Sequence, residues 1–173
     1  MLRSRSVKRG HFTLSSGRQS SLYVDARLTT MSPDGLATIG PLALERMADA
    51  GLTPDSVGGL TLGADPVSYA IAYASALAGH PLRAFTVRKQ PKEHGTGRLI
   101  EGPFDANDRV VVVEDVITTG GSALKAIDAV HAAGGTVIAV LAVVDREEGG
   151  REAIQETGVP VLSLVTAAEL TTG

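Results

Sequence analysis

Along most of the chain, long apolar runs alternate with segments whose apolar residues recur at helical spacing. The most continuous run, Val110–Val113, has no polar position that could face solvent, so it predicts a strand buried on both faces of a parallel sheet. The apolar run within Thr136–Asp145 has the same character. The complete set of predicted sheet strands is Ser56–Thr61, Leu82–Val87, Arg109–Glu114, Thr136–Asp145 and Val161–Val165.

Helical segments separate these strands. Ser32, Pro33 and Asp34 form a strong helix start, because a capping side chain precedes a proline in the first turn, and Gly51 ends the helix. The other predicted helices are Pro66–Ala78, Ser122–Ala133 and Arg151–Thr157. Earlier in the chain, Phe12–Asp25 predicts two short strands around a turn of serine and glycine. The alternation of strand and helix predicts an α/β fold, a doubly wound parallel sheet with helices on both faces.

Polar residues gather where the central strand is predicted to end. Glu114 and Asp115 follow the four valines, and Thr118–Ser122 is a turn of hydroxyl and glycine residues that leads into a helix. Glycines let the backbone approach an anion, and the N–H groups at a helix start attract it. Carboxylates beside such a turn suit a ligand with both hydroxyls and a phosphate. The alternative is an ordinary strand-to-helix turn with two solvated acids.

Three more polar clusters follow predicted strands. They are the Thr61–Pro66 turn, the Arg88–Gly102 loop with its cations and glycines, and the pair Asp145 and Arg146. In an open parallel sheet, ligands bind outside the carboxyl ends of the strands, so all four clusters are expected at one edge. The alternatives are a solvated basic loop for 88–102 and a surface pair for Asp145 and Arg146.

Composition narrows the class of protein. The 173 residues predict a single domain, and the net charge of −3 gives no general attraction to nucleic acid or membranes. Without cysteine, neither a disulfide framework nor a thiolate metal site can form. Basic residues before Gly10 are followed by no apolar stretch, and no segment has 18 apolar residues, so neither a signal peptide nor a membrane span is expected. These features favour a cytoplasmic protein.

The stretch Val110–Ser122 resembles the PRPP-binding motif of the type I phosphoribosyltransferases: four apolar residues, two acids, two variable residues and a turn rich in threonine and glycine. Three further segments resemble the orotate phosphoribosyltransferases. Phe12–Ser20 is similar to their N-terminal hood, the Arg-Lys-Gln-Pro-Lys-Glu-His-Gly stretch from Arg88 to their catalytic loop, and Asp145-Arg146 to their orotate-contacting strand end. The resemblance covers nearly the whole chain and implies a hood of about residues 1–30 plus a C-terminal segment.

The resemblance also implies roles for individual residues. Lys89, Lys92, His94 and Asp115 would be catalytic, Arg146 would pair with the orotate carboxylate, and Thr118 and Tyr23 would lie near the base. Tyr23 could equally be a core residue of the hood. The residues implied to bind PRPP are Arg88, Lys89, Lys92, His94, Glu114, Asp115, Val116, Ile117, Thr118, Thr119, Gly120, Gly121 and Ser122.

The implied reaction joins orotate and PRPP to give orotidine 5′-monophosphate and diphosphate in pyrimidine biosynthesis. The resemblance implies Mg²⁺ that is bound mainly through PRPP, without assigning it a protein ligand. It also implies a homodimer whose loops complete each other's sites. The chain departs from the family at Ser15 and Gly63, where many members have lysine, and its N-terminal helix is expected to be short or absent. Transfer to another base, and a non-catalytic PRPP-sensing regulator, remain alternatives.

Overall fold

The computed structural model describes residues 1–13, 19–91 and 98–172. A small antiparallel pair of strands and a larger sheet account for the strands in this part of the chain. In chain order the elements are α1 (Leu2–Arg5), β1 (Val7–Thr13), β2 (Gln19–Val24), α2 (Arg27–Thr30), α3 (Pro33–Asp49), β3 (Ser56–Leu60), α4 (Ala64–Leu77), β4 (Arg83–Val87), β5 (Ile100–Glu101), β6 (Arg109–Ile117), α5 (Gly121–Ala132), β7 (Thr136–Asp145), α6 (Gly150–Gln155), β8 (Val161–Thr166) and α7 (Ala167–Thr171).

The larger sheet has the strand order β5-β4-β3-β6-β7-β8. Neighbouring strands are parallel except at one edge, where β5 runs antiparallel to β4. The chain moves outward from β3 to β4 and then returns to place β6 on the other side of β3. This reversal between β3 and β6 is a topological switch point, where α/β sheets open a crevice for ligands. The predicted doubly wound sheet is confirmed, with the antiparallel edge as an addition.

The four valines at the centre of the sheet pack on both of its faces. Val111 and Val113 contact the cluster beneath α3 and α4, whereas Val110 and Val112 contact the cluster beneath α5 and α6. All four side chains are fully buried. Because side chains alternate across a strand, a run without a polar residue requires cover on both faces, and the helices supply it.

The central strand continues past its predicted end at Glu114. β6 pairs with β7 through Ile117, and its acids therefore lie within the strand rather than after it. On its other side, β6 pairs with β3 only at Val110–Val112. The last residues of β6 are therefore paired on one side by β7, while β3 has already ended. This difference in strand length opens the crevice beside the two acids.

Other boundaries differ from prediction by a few residues. Ser32 caps α3 as predicted, since its hydroxyl accepts from the Gly35 N–H at 3.1 Å. The short strand β5 lies within the predicted loop 88–102, because two apolar residues carry too weak a pattern to predict a strand. The short helices α1, α2 and α7 were likewise not predicted. No helix in the described part of the chain combines the length and apolarity needed to cross a membrane.

Candidate active site

A cavity of about 670 Å³ opens at the carboxyl ends of β3 and β6. It is bounded by the end of the hood, the turn after β3, the last residues of β6 and the turn before α5. Of the residues predicted for the site, those that line this cavity are Tyr23, Lys89, Glu114, Asp115, Val116, Thr118, Thr119, Ser122 and Arg146. Residues from five separate parts of the chain therefore meet where the polar clusters at the strand ends predicted a common site.

A smaller recess of about 180 Å³ lies at the start of α5. The predicted residues Ile117, Gly120 and Gly121 line it, together with Thr118, Thr119 and Ser122 of the turn. Gly120 has a φ of +80°, a backbone conformation that favours glycine. The N–H groups of a first helical turn have no intrahelical acceptor, so they are available to a bound anion. The recess therefore combines hydroxyl groups, glycine backbone and free N–H groups, which are the donors that bind a phosphate.

The two acids beside this recess occupy a low-dielectric position. The Glu114 side chain is 5% exposed, and its Oε1 has no hydrogen-bond partner among the described residues. Burial raises the pKa of Glu114 to about 8, and the negative charge of Asp115 adds to the shift. Burial also raises the pKa of Asp115, although backbone N–H groups and the Arg27 guanidinium oppose that rise. A ligand that brings hydroxyl donors or positive charge would satisfy both carboxyl groups.

The turn after β3 packs directly against one of these acids. Thr61, Leu62 and Gly63 line the main cavity, and the Thr61–Leu62 peptide bond is cis. A Cβ atom on Gly63 would lie 2.4 Å from Asp115 Oδ1, which is too close without a shift of the carboxylate. A side chain at position 63, such as the lysine that many family members have there, would therefore require the Asp115 carboxylate of this chain to move. The same carboxylate oxygen accepts a hydrogen bond from the Val116 N–H at 2.9 Å.

Arg146 and Asp145 are adjacent in sequence but have different surroundings. The Arg146 side chain is 5% exposed, lines the cavity and donates to Glu148 Oε1 at 2.6 Å. Asp145 instead accepts from Arg151 Nε at 2.6 Å. Arg151 also donates to the Val161 carbonyl and the Ser163 hydroxyl, so it ties α6 to β7 and β8. Only Arg146 of the predicted pair reaches the cavity.

The cations of the predicted loop are partly described. Lys89 lines the cavity, whereas Arg88 is not among its lining residues. The Arg88 guanidinium lies 3.6 Å from the Glu101 carboxylate, and its backbone N–H donates to the Leu99 carbonyl. Lys92, His94 and the glycines at 95 and 97 lie outside the described residues, as does Ser15 of the hood.

The hood contributes two residues that the sequence did not single out. Asp25 and Arg27 line the cavity and pair with each other, with 2.8 Å between Arg27 Nε and Asp25 Oδ1. The Arg27 side chain lowers the pKa of Asp25. An acid at the end of a short strand is not marked by any distinctive spacing in the sequence. Its position beside the cavity is therefore seen only once the hood strands are paired. Tyr23 is 37% exposed and packs on Phe12, with ring centroids 5.4 Å apart, so it contacts the hood and lines the cavity.

Comparisons with known proteins agree with this geometry. The family model described as phosphoribosyl transferase domain matches residues 32–157. Orotate phosphoribosyltransferase from Aquifex aeolicus is 51% identical over 159 residues, which cover 92% of this chain and 86% of the relative. The chain belongs to the orotate phosphoribosyltransferase family. The family assignment made from the PRPP motif and the catalytic-loop sequence is therefore confirmed.

Solved structures extend the match to the three-dimensional fold of this orotate phosphoribosyltransferase family. The Mycobacterium tuberculosis orotate phosphoribosyltransferase bound to Fe(III) dicitrate is 48% identical, with a TM-score of 0.86 and coverage of 99% of this chain and 95% of the other. The same M. tuberculosis protein in complex with PRPP is 46% identical, with a TM-score of 0.83 over 99% and 94% of the two chains. The type I phosphoribosyltransferase fold predicted from the sequence is thus confirmed.

Proposed function

We propose that this chain transfers the 5-phosphoribosyl group of PRPP to orotate, giving orotidine 5′-monophosphate and diphosphate in pyrimidine biosynthesis. The observation that carries the proposal is one cavity whose lining includes Glu114, Asp115, Thr118, Thr119, Ser122 and Arg146. This set offers acceptors for a ribose diol, donors for a phosphate and a guanidinium for the carboxylate of the base. The M. tuberculosis relative with PRPP bound supports the choice of the first substrate.

The proposed roles follow from where charge develops. As the bond from C1′ to the diphosphate breaks, the ribose gains positive charge and the leaving group gains negative charge. Glu114 and Asp115 would accept from the ribose hydroxyls and favour the positive ribose, while Thr118–Ser122 would hold the 5′-phosphate. Lys89 lies on the wall where diphosphate would depart and would stabilise its charge. Arg146 would orient the base so that its nitrogen faces C1′.

We also propose that Mg²⁺ assists the reaction. Among the described residues, no group of three or more histidine, aspartate or glutamate side chains could hold a metal ion. The unpartnered Glu114 Oε1 and the neighbouring Asp115 carboxylate are oxygen donors of the kind that would fit an ion held mostly through PRPP. The ion would supply positive charge to the leaving diphosphate. Titrating the protein with Mg²⁺ in the presence and absence of PRPP would show whether the substrate is required for binding.

The remaining roles rest on the family resemblance. Lys92 and His94 would join Lys89 at the diphosphate, and Arg88 would bind it within its own subunit.

We propose a homodimer in which loops complete each other's sites. Tyr69, Tyr73 and Leu77 support it, since they form an exposed apolar stripe along α4 at helical spacing. Sedimentation analysis of wild type and Tyr73→Glu would test the interface. The proposal includes a cytoplasmic location, which cell fractionation would test.

The central experiment follows orotate absorbance in the presence of PRPP and Mg²⁺. Loss of absorbance that requires PRPP is the expected result, with adenine and xanthine assayed in parallel as competing bases. Turnover with one of those bases and none with orotate would overturn the substrate assignment. PRPP binding without any turnover would instead favour a PRPP-sensing regulator.

A further inference from the structure

Asp65 lies in the first turn of α4 and touches two different elements. Its Oδ2 accepts from the Thr61 hydroxyl at 2.7 Å, and its Oδ1 accepts from the Thr86 hydroxyl at 2.9 Å. Asp65 does not line the cavity, and neither does Thr86. One carboxylate thus connects the turn that follows β3 with the end of β4.

Both ends of this connection lead to the proposed diphosphate side of the site. Thr61 begins the cavity-lining turn at 61–63, and Gly63 of that turn lies against the Asp115 carboxylate. Thr86 is three residues before Lys89, which lines the same cavity. The Thr61 N–H also donates to the Val87 carbonyl at 2.8 Å, so backbone and side chain hold the two strand ends together.

The hydrogen-bond directions in this network can be assigned. Thr86 Oγ1 has one hydrogen, and it donates that hydrogen to Asp65. The contact of 2.9 Å between Tyr69 and Thr86 therefore has the Tyr69 hydroxyl as its donor. Asp65 accepts from both threonines, so its carboxylate is the side-chain link between the two strand ends.

Resting on the proposed function, we propose that Asp65 is a positioning residue for the diphosphate end of PRPP. It holds the 61–63 turn and the end of β4 in one arrangement, so that Gly63 and Lys89 have fixed positions beside the substrate. The alternative is that Asp65 only adds a negative charge at the start of α4, as many first-turn acids do. In that case the contact with Thr86 would have no consequence for substrate binding.

A double-mutant cycle separates these two roles. Thr86→Val removes the hydroxyl while keeping the shape, and Asp65→Ala removes both contacts. Since a hydrogen bond to a charged group contributes about 1.5 kcal/mol or more, we expect Thr86→Val to raise the KM for PRPP about tenfold. Asp65→Ala should raise it further, the double variant should resemble Asp65→Ala alone, and the KM for orotate should change less than twofold in each.

Two matched variants serve as controls. Thr86→Ser keeps the hydroxyl and should have nearly the wild-type KM for PRPP. Ser68→Ala removes a hydroxyl that donates to the Asp65 backbone carbonyl rather than to its carboxylate, and it should also stay near wild type. A wild-type KM for PRPP in Thr86→Val, or equal increases in the KM values of both substrates, would overturn the proposal. If Asp65→Ala fails to fold, Thr86→Val and Thr86→Ser decide the question without it.

The test remains informative if the wild-type protein has no turnover with orotate. Calorimetric titration with PRPP and Mg²⁺ then measures the dissociation constant directly for the wild type and Thr86→Val. A roughly tenfold weaker constant in Thr86→Val would support the positioning role even though the substrate assignment had failed. Equal constants would overturn the positioning role alone.

Discussion

The two walls of the cavity are built in different ways. The wall formed by β6 and the start of α5 continues directly from Val110–Val113, which are fully buried in the middle of the sheet. The opposite wall comes from the end of the hood, the 61–63 turn and Lys89, and it is more open, with Leu62 54% exposed and Tyr23 37% exposed. Core packing fixes the first wall, whereas side-chain hydrogen bonds and ion pairs fix the second.

This contrast indicates how the protein divides its tasks. A ribose phosphate is common to all substrates of this chemistry and can be held by a rigid wall that shares its stability with the core. The base and the departing diphosphate require access, so the opposite wall contains residues with fewer packing constraints. Changes in the β6–α5 wall should therefore alter folding and PRPP use together, while changes opposite should alter the use of one substrate.

Asp115→Asn should have the largest effect of the changes considered for the β6–α5 wall. The carboxylate is proposed to accept charged hydrogen bonds from the ribose, and losing two of them at about 1.5 kcal/mol each lowers kcat/KM for PRPP about a hundredfold. Steady-state kinetics measure this loss. Asp128→Asn changes an exposed acid on α5 and is the matched control, for which no change is expected. A loss below threefold in Asp115→Asn would contradict its role.

Gly120→Ala tests whether the phosphate turn shares its stability with the core. Its φ of +80° disfavours alanine, and the added Cβ would lie 2.8 Å from the Gly150 carbonyl oxygen. We expect the free energy of unfolding to fall by about 2 kcal/mol or more, with a higher KM for PRPP. Gly51→Ala is a matched control, since Gly51 has a φ of +67° and no atom within 4 Å of its added Cβ.

The two glycine variants share the cost of the left-handed backbone and differ in the contact. Urea unfolding of both proteins therefore isolates the contribution of the turn. Gly51→Ala should lose about 1 kcal/mol of stability, close to the lower cost of a left-handed alanine, and keep its KM for PRPP. Equal losses of stability in the two variants would show that the phosphate turn is not coupled to the core in the way proposed.

The same contrast explains what could be predicted from the sequence. The valines, the acids and the glycine turn of β6–α5 are contiguous, so pattern and spacing place them at one strand end. The opposite wall is assembled from distant segments with weak local patterns. Asp25 and Arg27 were missed because no sequence pattern marks the residue after a short hood strand or the four-residue helix that begins at Arg27. The extension of β6 through Ile117 was missed because a strand that pairs on one side only can carry polar residues, which were interpreted as its end.

Glu114→Gln should change function and stability in opposite directions in the β6–α5 wall. With its pKa raised to about 8 by burial, the folded protein keeps the Glu114 proton up to that pH, whereas the unfolded chain releases it near its ordinary pKa of 4.5. The free energy of unfolding therefore falls as the pH rises from about 4.5 to about 8. Glutamine has no proton to release, so this contribution disappears.

The expected result is a Tm difference, Glu114→Gln minus wild type, that grows as the pH rises from 5 to 8. Thermal unfolding of both proteins across this range measures it, and groups common to both proteins cancel in the difference. Turnover with PRPP should fall at the same time, because the amide, unlike the carboxyl group, cannot ionise as positive charge develops on the ribose. A Tm difference that is constant with pH would show that Glu114 is ionised in the folded protein at pH 5.

Arg146→Lys tests the complementary prediction, that the side chain facing the base can change without altering the KM for PRPP. Lysine keeps the positive charge beside Glu148 but lacks the planar pair of donors that matches a carboxylate. We expect the KM for orotate to rise about tenfold, as for the loss of one charged hydrogen bond, with the KM for PRPP changed less than twofold.

Arg151→Lys is the matched control, since Arg151 lies near the same end of β7 but is bound to Asp145 and β8 and does not line the cavity. It should lower the Tm and leave both KM values near wild type. If Arg146→Lys raised both KM values equally, the side chain that faces the base would not act independently of the adjoining ribose-phosphate wall, to which the Arg146 N–H is bonded through the Ile117 carbonyl, and the proposed division of tasks would be wrong. If instead Arg151→Lys raised only the KM for orotate, selectivity would depend on the anchoring of α6 rather than on the guanidinium in the cavity.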